Sequence, residues 1–480
     1  MSGLHSVEKI GGTSMAATVS LFDNVLIAGR SGDDLYNRIF VVSAYAGMTD
    51  LLLEHKKSGV PGVYGRFIAD DGADGWLEAM AKVREAMHAR NNGMFARAAS
   101  LEEANAFVDL RIAAVQDCLE DLGRLRSHGR FCVKEQLLTI RELLAGLGEA
   151  HSAHSTALLL RDRGINAAFV DLTLWEQNDL RSLDERIVEA LAPIDLRNTM
   201  PIVTGYAGCA EGMVRRYARG YSEMTFSRIA VLTHAREAII HKEFHLSSAD
   251  PRLVGEASAR KIGRTNYDVA DQLANLGMEA IHPRAGRGLR QTSIPLRVRN
   301  TFDREDEGTL ICGDYVSDTP RVEIITGVRS MQALQFFEQD MVGEKGYDAA
   351  ILDALTRHGA WIVSKSSNAN TITHYLSIDA ATVKQIMADL QLRYPDAAIS
   401  AQPVAMVSVI GSDISRPGLV PDALNALAES NVDMIAMQHQ IRNVDIQFII
   451  DCIHFDTAVR ALHQRLIEDV ADQTEGRQAA

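Results

Sequence analysis

A lysine, two glycines and two hydroxyl residues stand together near the start of the chain, in Lys9-Ile10-Gly11-Gly12-Thr13-Ser14. Adjacent glycines let backbone N–H groups approach an anion, and a helix that begins there turns its positive dipole end toward the same point. Lys9 adds a full charge. The helix-like run Met15-Ala16-Ala17-Thr18-Val19 follows, so the stretch reads as a cradle for a phosphate of the kind ATP presents. A Gly-Gly turn between a strand and a helix is common for purely structural reasons. Asp250-Pro251-Arg252 reads as a turn, with Asp250 capping and Pro251 fixing φ.

The elements that must position these groups are those of an α/β chain. Short apolar runs alternate with helical patterns to about residue 315, the signature of a largely parallel sheet. Strands are expected at Ile39-Phe40-Val41-Val42, Ala168-Phe169-Val170, Pro201-Ile202-Val203-Thr204, Ala238-Ile239-Ile240, Glu279-Ala280-Ile281 and Ile294-Pro295-Leu296-Arg297-Val298. Val269, Leu273 and Leu276 fall at helical spacing, with Thr265 or Asn266 to cap the start and Gly277 to stop it. From about 77 to 125 the chain is charged, Ala-rich and strand-poor, and reads as a helical insertion. Beyond about 318 two weakly similar segments follow, each with a strand, a Gly-containing turn, a helix and further strands, which suggests a duplicated small module. The polar tail from about Glu468 carries too little apolar surface to order itself.

With 480 residues, 46% of them hydrophobic, the chain has room for two to four domains with their own cores. A formal net charge of −14 opposes binding to nucleic acid or to an acidic membrane surface. No stretch approaches the roughly 18 uninterrupted apolar residues of a membrane span. Cys118, Cys132, Cys209, Cys312 and Cys452 are scattered and lack metal-ligand spacing, which favours reduced thiols. A cytoplasmic enzyme acting on small molecules is therefore expected, with no nucleic-acid or membrane partner.

Several motifs recur in a fixed order: the Lys9 stretch, Val42-Ser43-Ala44 through Gly47-Met48-Thr49, Leu147-Gly148-Glu149, Arg219-Gly220-Tyr221-Ser222-Glu223, Ala249-Asp250-Pro251-Arg252, Ile281-His282-Pro283 and Glu307-Gly308-Thr309-Leu310. With them the chain resembles the aspartate kinases of the amino-acid kinase superfamily that carry tandem ACT regulatory modules. The resemblance implies an α/β three-layer sandwich with a mainly parallel sheet over 1–318, ACT modules of α+β type over 319–400 and 401–468, and a flexible tail over 469–480. It implies transfer of the ATP γ-phosphate to the β-carboxylate of L-aspartate. That acceptor is already ionised at neutral pH, so the work is alignment and charge neutralisation, without a general base. Lys9, Arg219 and Glu149 are the implied catalytic residues. Arg219 would fork onto a substrate carboxylate and Glu149 would meet the ammonium, with Ser43, Thr49 and Ser222 adding hydrogen bonds. Lys9, Gly11, Gly12, Thr13, Ser14, Asp250 and Arg252 would serve the nucleotide. Mg²⁺ would arrive on ATP, with Glu223 as the protein carboxylate nearby. The ACT modules would pair protomers into a homodimer or larger assembly and offer effector positions around Met341 and Gly346 and around Ser412, Asp413 and Gly418.

The chain departs from the family pattern where G-R-G-G-S-D is usual, since Ala218-Arg219-Gly220-Tyr221-Ser222-Glu223 puts Tyr221 for a glycine and Glu223 for an aspartate. An acidic position expected on the nucleotide side has become Lys242, while an expected lysine has become Glu279, so the sum of charge is kept. Lys242 would then take over the phosphate-facing charge. Together with 240–251, these departures resemble the specialised branch associated with ectoine synthesis. The rival readings are another carboxylate acceptor, glutamate or acetylglutamate, and a non-catalytic amino-acid sensor. Asp348 places a charge at the helix start of the first ACT module, where an apolar residue is usual, so effector binding there is expected to be altered.

Overall fold

The computed structural model describes residues 3–56, 58–69, 73–129, 131–173, 181–217, 220–278 and 281–470. By contact the chain forms two compact units, 1–245 with 281–313, and 246–280 with 314–480.

The first unit is built on strands β1 (Ser6–Ile10), β2 (Arg38–Val42), β3 (Ala167–Val170), β4 (Met200–Thr204), β5 (Glu237–Lys242), β7 (Leu296–Asn300) and β8 (Thr309–Cys312); β6 (Arg264–Asn266) belongs to the second. Their order is β3-β4-β2-β1-β5-β7-β8, parallel except for β8, which runs antiparallel to β7. Ile10, Phe40, Val42 and Ile202 pack with Ala153 and Ala157 of the long helix Lys134–Asp162. Side chains alternate along a strand, so Lys9 points to the opposite face, where the helix Tyr221–Leu232 lies. Helices on both faces make the three layers expected. Leu144 to Leu160 are almost wholly buried, polar Glu149, His151, Ser152, His154, Ser155 and Thr156 among them, so this part of the helix lies in the interior. The helices Ala73–Met94 and Ala98–Ser127 fill the stretch read as a helical insertion.

The second unit holds β9 (Ile324–Phe337), β10 (Trp361–Ser367), β11 (Thr371–Ser377), β12 (Ala398–Ile410), β13 (Met434–His439) and β14 (Asp445–Ile450) in a single antiparallel sheet ordered β10-β11-β9-β12-β14-β13. β9 and β12 pair from Ala398↔Phe337 to Ile410↔Ile324 and run through both halves, so the duplicated modules share two strands. The helices Tyr347–Arg357 and Ala380–Arg393 form one core with Phe336 and Leu376, and Leu419–Glu429 and Phe455–His463 form another with Val407 and Phe448. Gly346 and Gly418 occupy the same place in the repeat, each left-handed (φ 111° and 81°) immediately before a helix.

Of the expected strands, Glu279 and Ala280 lie outside the described residues and Ile281 is not in a strand. The helix beginning at Tyr267 starts as expected, with the Asn266 side chain accepting from the Val269 N–H at 3.0 Å.

Candidate active site

The site lies at the carboxyl ends of the parallel strands, where an open α/β sheet usually binds its ligands. β1 ends at Ile10, Gly11 caps the helix Gly12–Ala16, and the lysine one residue before the strand's end is buried, at 8% exposure. A Cβ on Gly12 would sit 2.7 Å from the Ala44 carbonyl oxygen, so this close approach requires glycine. The Ala46 N–H donates to the Gly12 carbonyl at 3.1 Å and ties the phosphate loop to the segment after β2. Ser14 is fully buried and accepts from the Thr301 hydroxyl at 2.8 Å, whereas Thr13 is exposed.

Lys9 Nζ lies 3.5 Å from Glu223 Oε1, and Glu223 Oε2 accepts from the His282 N–H at 2.5 Å. Burial opposes the ionised carboxyl, but the charges of Lys9 and Lys242 with the His282 N–H outweigh it and hold Glu223 below its ordinary pKa. Parallel pairing sets Ile10 against His241, which brings Lys242, at the tip of β5, beside the start of the glycine loop. Two cations thus converge on one buried carboxylate next to the glycine loop.

Glu149, 1% exposed, comes from the long helix on the other face of the sheet. Gly148 allows that helix to approach the segment after β2, since its Cβ would stand 3.0 Å from Ala44 Cβ. Glu149 Oε1 accepts from the Ser222 hydroxyl at 2.7 Å, so helices from opposite faces meet over the sheet's edge. Its Oε2 is buried with no hydrogen-bond partner among the described residues. Burial pushes the carboxyl up to about 8, against the opposing influence of the Ser222 hydroxyl, Lys9 and the nearby Tyr206 and Ala44 amides. An orphaned carboxylate oxygen of this kind is costly unless a cation or donor arrives. Ser43 continues from β2, its N–H donating to the Ile10 carbonyl at 3.1 Å, and Thr49 lies in the helix Met48–Leu52 behind left-handed Gly47.

Arg219 and Glu279 lie outside the described residues. Asp250 and Arg252 belong to the second unit, where Asp250 caps the helix Pro251–Val254 and the Arg252 guanidinium folds back onto it at 2.9 Å. His282 caps the helix Pro283–Gln291. Among the effector positions, the Ser412 hydroxyl is engaged by Glu323 at 2.6 Å, the Asp413 carboxylate accepts from the Ser415 N–H, and Met341 ends a short 3₁₀ turn. Asp348 pairs with Lys365 through both carboxylate oxygens.

Sequence reading missed several residues. Gly205 follows β4 directly, and a Cβ there would lie 2.8 Å from Glu149 Oε2 and 2.7 Å from Ser222 Cβ. Its signal was a glycine directly after the strand Met200-Pro201-Ile202-Val203-Thr204, wholly buried in the fold. Glu8 and Arg38 form a buried ion pair at 2.7 Å, joined by His241 at 2.8 Å, beneath the phosphate loop. No linear spacing reveals that trio. His245, Asp303 and Asp306 also cluster, although the histidines show no metal-ligand spacing in sequence.

Residues 6–300 match the amino acid kinase family. The chain is 47% identical over 465 residues to aspartate kinase Ask_Ect of Stutzerimonas stutzeri, covering 97% of this chain and 98% of that one. It is 27% identical to an aspartokinase of Geobacillus stearothermophilus, over 67% of this chain and 81% of that one. In structure it resembles E. coli aspartokinase III in complex with lysine and aspartate, with a TM-score of 0.73 at 18% identity, covering 96% of this chain and 99% of that one. The same enzyme in complex with aspartate and ADP gives a TM-score of 0.71.

Proposed function

Because the chain belongs to the amino acid kinase family and matches an aspartate kinase at 47% identity over nearly its whole length, we infer the reaction it performs. It is an aspartate kinase, moving the γ-phosphate of ATP to the β-carboxylate of L-aspartate to give 4-phospho-L-aspartate and ADP. The observation that carries its active-site assignment is the pairing of a cation-rich phosphate cradle with a buried, half-satisfied Glu149 across one sheet edge.

In this reading the Gly11 and Gly12 amides and the Thr13 hydroxyl hold phosphate oxygens while Lys9 neutralises charge on the transferring group. Ser14, tied to Thr301, holds the loop's shape and retains its own proton for a phosphate oxygen. Lys242 supplies a second cation. Glu149 Oε2 receives the aspartate ammonium, Ser43, Thr49 and Ser222 orient the substrate, and Arg219 takes a carboxylate. Asp250 and Arg252 are assigned to the nucleotide by resemblance. A hard, anionic oxygen donor suits Mg²⁺, and Glu223, kept ionised, is the carboxylate the chain offers near the cradle. Magnesium brought with ATP supplies charge that Lys9 alone does not.

The identity of 47% to Ask_Ect, against 27% to the Geobacillus enzyme, favours the specialised branch that 240–251 resembles, and we assign the product to ectoine supply. A homodimer through the second unit and a cytoplasmic location complete the proposal; among the described residues, no helix is long and apolar enough to cross a membrane. Trapping the acyl phosphate with hydroxylamine tests the acceptor. Aspartate should yield hydroxamate with matching ADP release, and product from glutamate or acetylglutamate in its place would refute the assignment.

A further inference from the structure

We propose that Arg90, in the helical insertion, is a positioning residue that clamps the phosphate-loop helix and the acceptor-side loop in register. The inference rests on the reading of residues 11–14 as the phosphate site.

Arg90 reaches out of the helix Ala73–Met94, and its Nη2 donates to the Met15 carbonyl at 2.9 Å and to the Thr18 hydroxyl at 2.7 Å. The helix Gly12–Ala16 ends at Ala17, so its last carbonyls lack partners within the helix, and a cation there is favoured by the helix dipole. Five residues at about 1.5 Å each make a short rigid rod. A shift at Met15 is therefore passed to Gly12 at the other end, where the phosphate is held.

The same guanidinium stands 4.5 Å over the ring of Tyr45, two residues beyond Ser43. Tyr45 is 4% exposed, its hydroxyl donates to Met94 Sδ at 3.3 Å, and its ring meets His151 edge-on at 5.3 Å. His151 lies on the helix that carries Glu149. Arg90 thus touches the donor-side helix directly and the acceptor-side loop through Tyr45. Transfer between two bound anions depends on their alignment, and about 1 Å of misplacement can cost roughly 100-fold in rate. The insertion then has a task in the reaction itself, setting the distance between two loops that also approach each other at Gly12 and Ala44–Ala46.

Steady-state kinetics and thermal melts of Arg90→Gly and Arg90→Lys test this, with and without guanidinium at non-denaturing millimolar concentration. Arg97→Gly, which breaks an exposed ion pair of the insertion with Asp162, serves as the control and should leave kcat unchanged. For Arg90→Gly, kcat should fall about 10- to 100-fold while both KM values stay within about threefold, and guanidinium should restore several-fold of the loss. Arg90→Lys should keep an intermediate kcat. An Arg90→Gly enzyme with wild-type kcat, or a folded Arg90→Gly enzyme whose loss of kcat guanidinium does not restore, overturns the proposal. Should Arg90→Gly not fold, wild-type kcat in Arg90→Lys overturns it. Lys9→Met, assayed alongside, separates the two readings: full activity there removes the phosphate site itself, whereas its collapse beside an unaffected Arg90→Gly removes only the clamp.

Discussion

In the proposed reading, Glu149 concentrates the acceptor chemistry in one side chain. Its raised pKa means that the empty site holds a proton below about pH 8, while an aspartate ammonium binds best to the anion. KM for aspartate should therefore fall as pH rises toward about 8 and level off above it. Glu149→Gln should remove that dependence and raise KM by roughly 10- to 100-fold, the worth of a charge-assisted hydrogen bond. The stability sign is opposite. The folded chain retains a proton from the ordinary value of 4.5 up to about 8, so this group's contribution to stability declines as pH rises through that window. Melting curves of the wild type and Glu149→Gln across that range check it, the variant lacking the slope. Gly205→Ala tests the packing around the same carboxylate. A methyl 2.8 Å from Oε2 and 2.9 Å from the Val42 carbonyl should cost about 1–3 kcal/mol by overpacking and weaken aspartate binding, read by denaturant melts and KM.

At the scale of elements, the ends of β1, β2 and β5 and the helices Gly12–Ala16, Met48–Leu52, Lys134–Asp162 and Tyr221–Leu232 build the site, and how far sequence revealed them varied for physical reasons. β2, β4 and β5 were plain because buried parallel strands read as apolar runs, whereas β1, Ser6-Val7-Glu8-Lys9-Ile10, carries a buried glutamate and lysine and was not among the expected strands. Asn266 and Gly277 marked the ends of the helix Tyr267–Asn275 through capping and positive φ. Lys9, Glu149 and Ser222 were legible through motif order. Gly205, Arg90 and the Glu8, Arg38 and His241 trio were not, because contacts across 30 to more than 200 residues leave no local period. Lys242 lies between these cases. Sequence marked it as a charge exchange, and only the register of β5 against β1 puts it beside the glycine loop. Lys242→Ala should raise KM for ATP about tenfold, roughly 1.4 kcal/mol, and leave KM for aspartate close to wild type. Equal ATP affinity in wild type and variant would return Lys242 to an ordinary surface role.

For the whole molecule, the second unit's sheet ends in two open edges. Trp361 on β10 is 59% exposed, and Met434 and Ile435 on β13 are 41% and 49% exposed. Exposed apolar edge strands invite pairing with another chain. Sedimentation should give a dimer of the 52.6 kDa chain at micromolar concentration, and a lysine in place of Trp361 or Ile435 should shift it toward monomer. In the proposed reading of the second unit as paired regulatory modules, the ion pair of Asp348 with Lys365 occupies a helix start where the resemblance leads to an apolar residue, and added lysine or threonine should change the activity little.

The proposed reaction rests on Lys9 standing at the transferring phosphoryl group. The most direct measurement is single-turnover formation of aspartyl hydroxamate by wild type and Lys9→Met, both saturated with ATP and L-aspartate. A fall of about 100-fold or more, with the fold intact by circular dichroism, is the predicted result for a cation that stabilises transition-state charge. A Lys9→Met enzyme that turns over within about threefold of wild type would contradict the site.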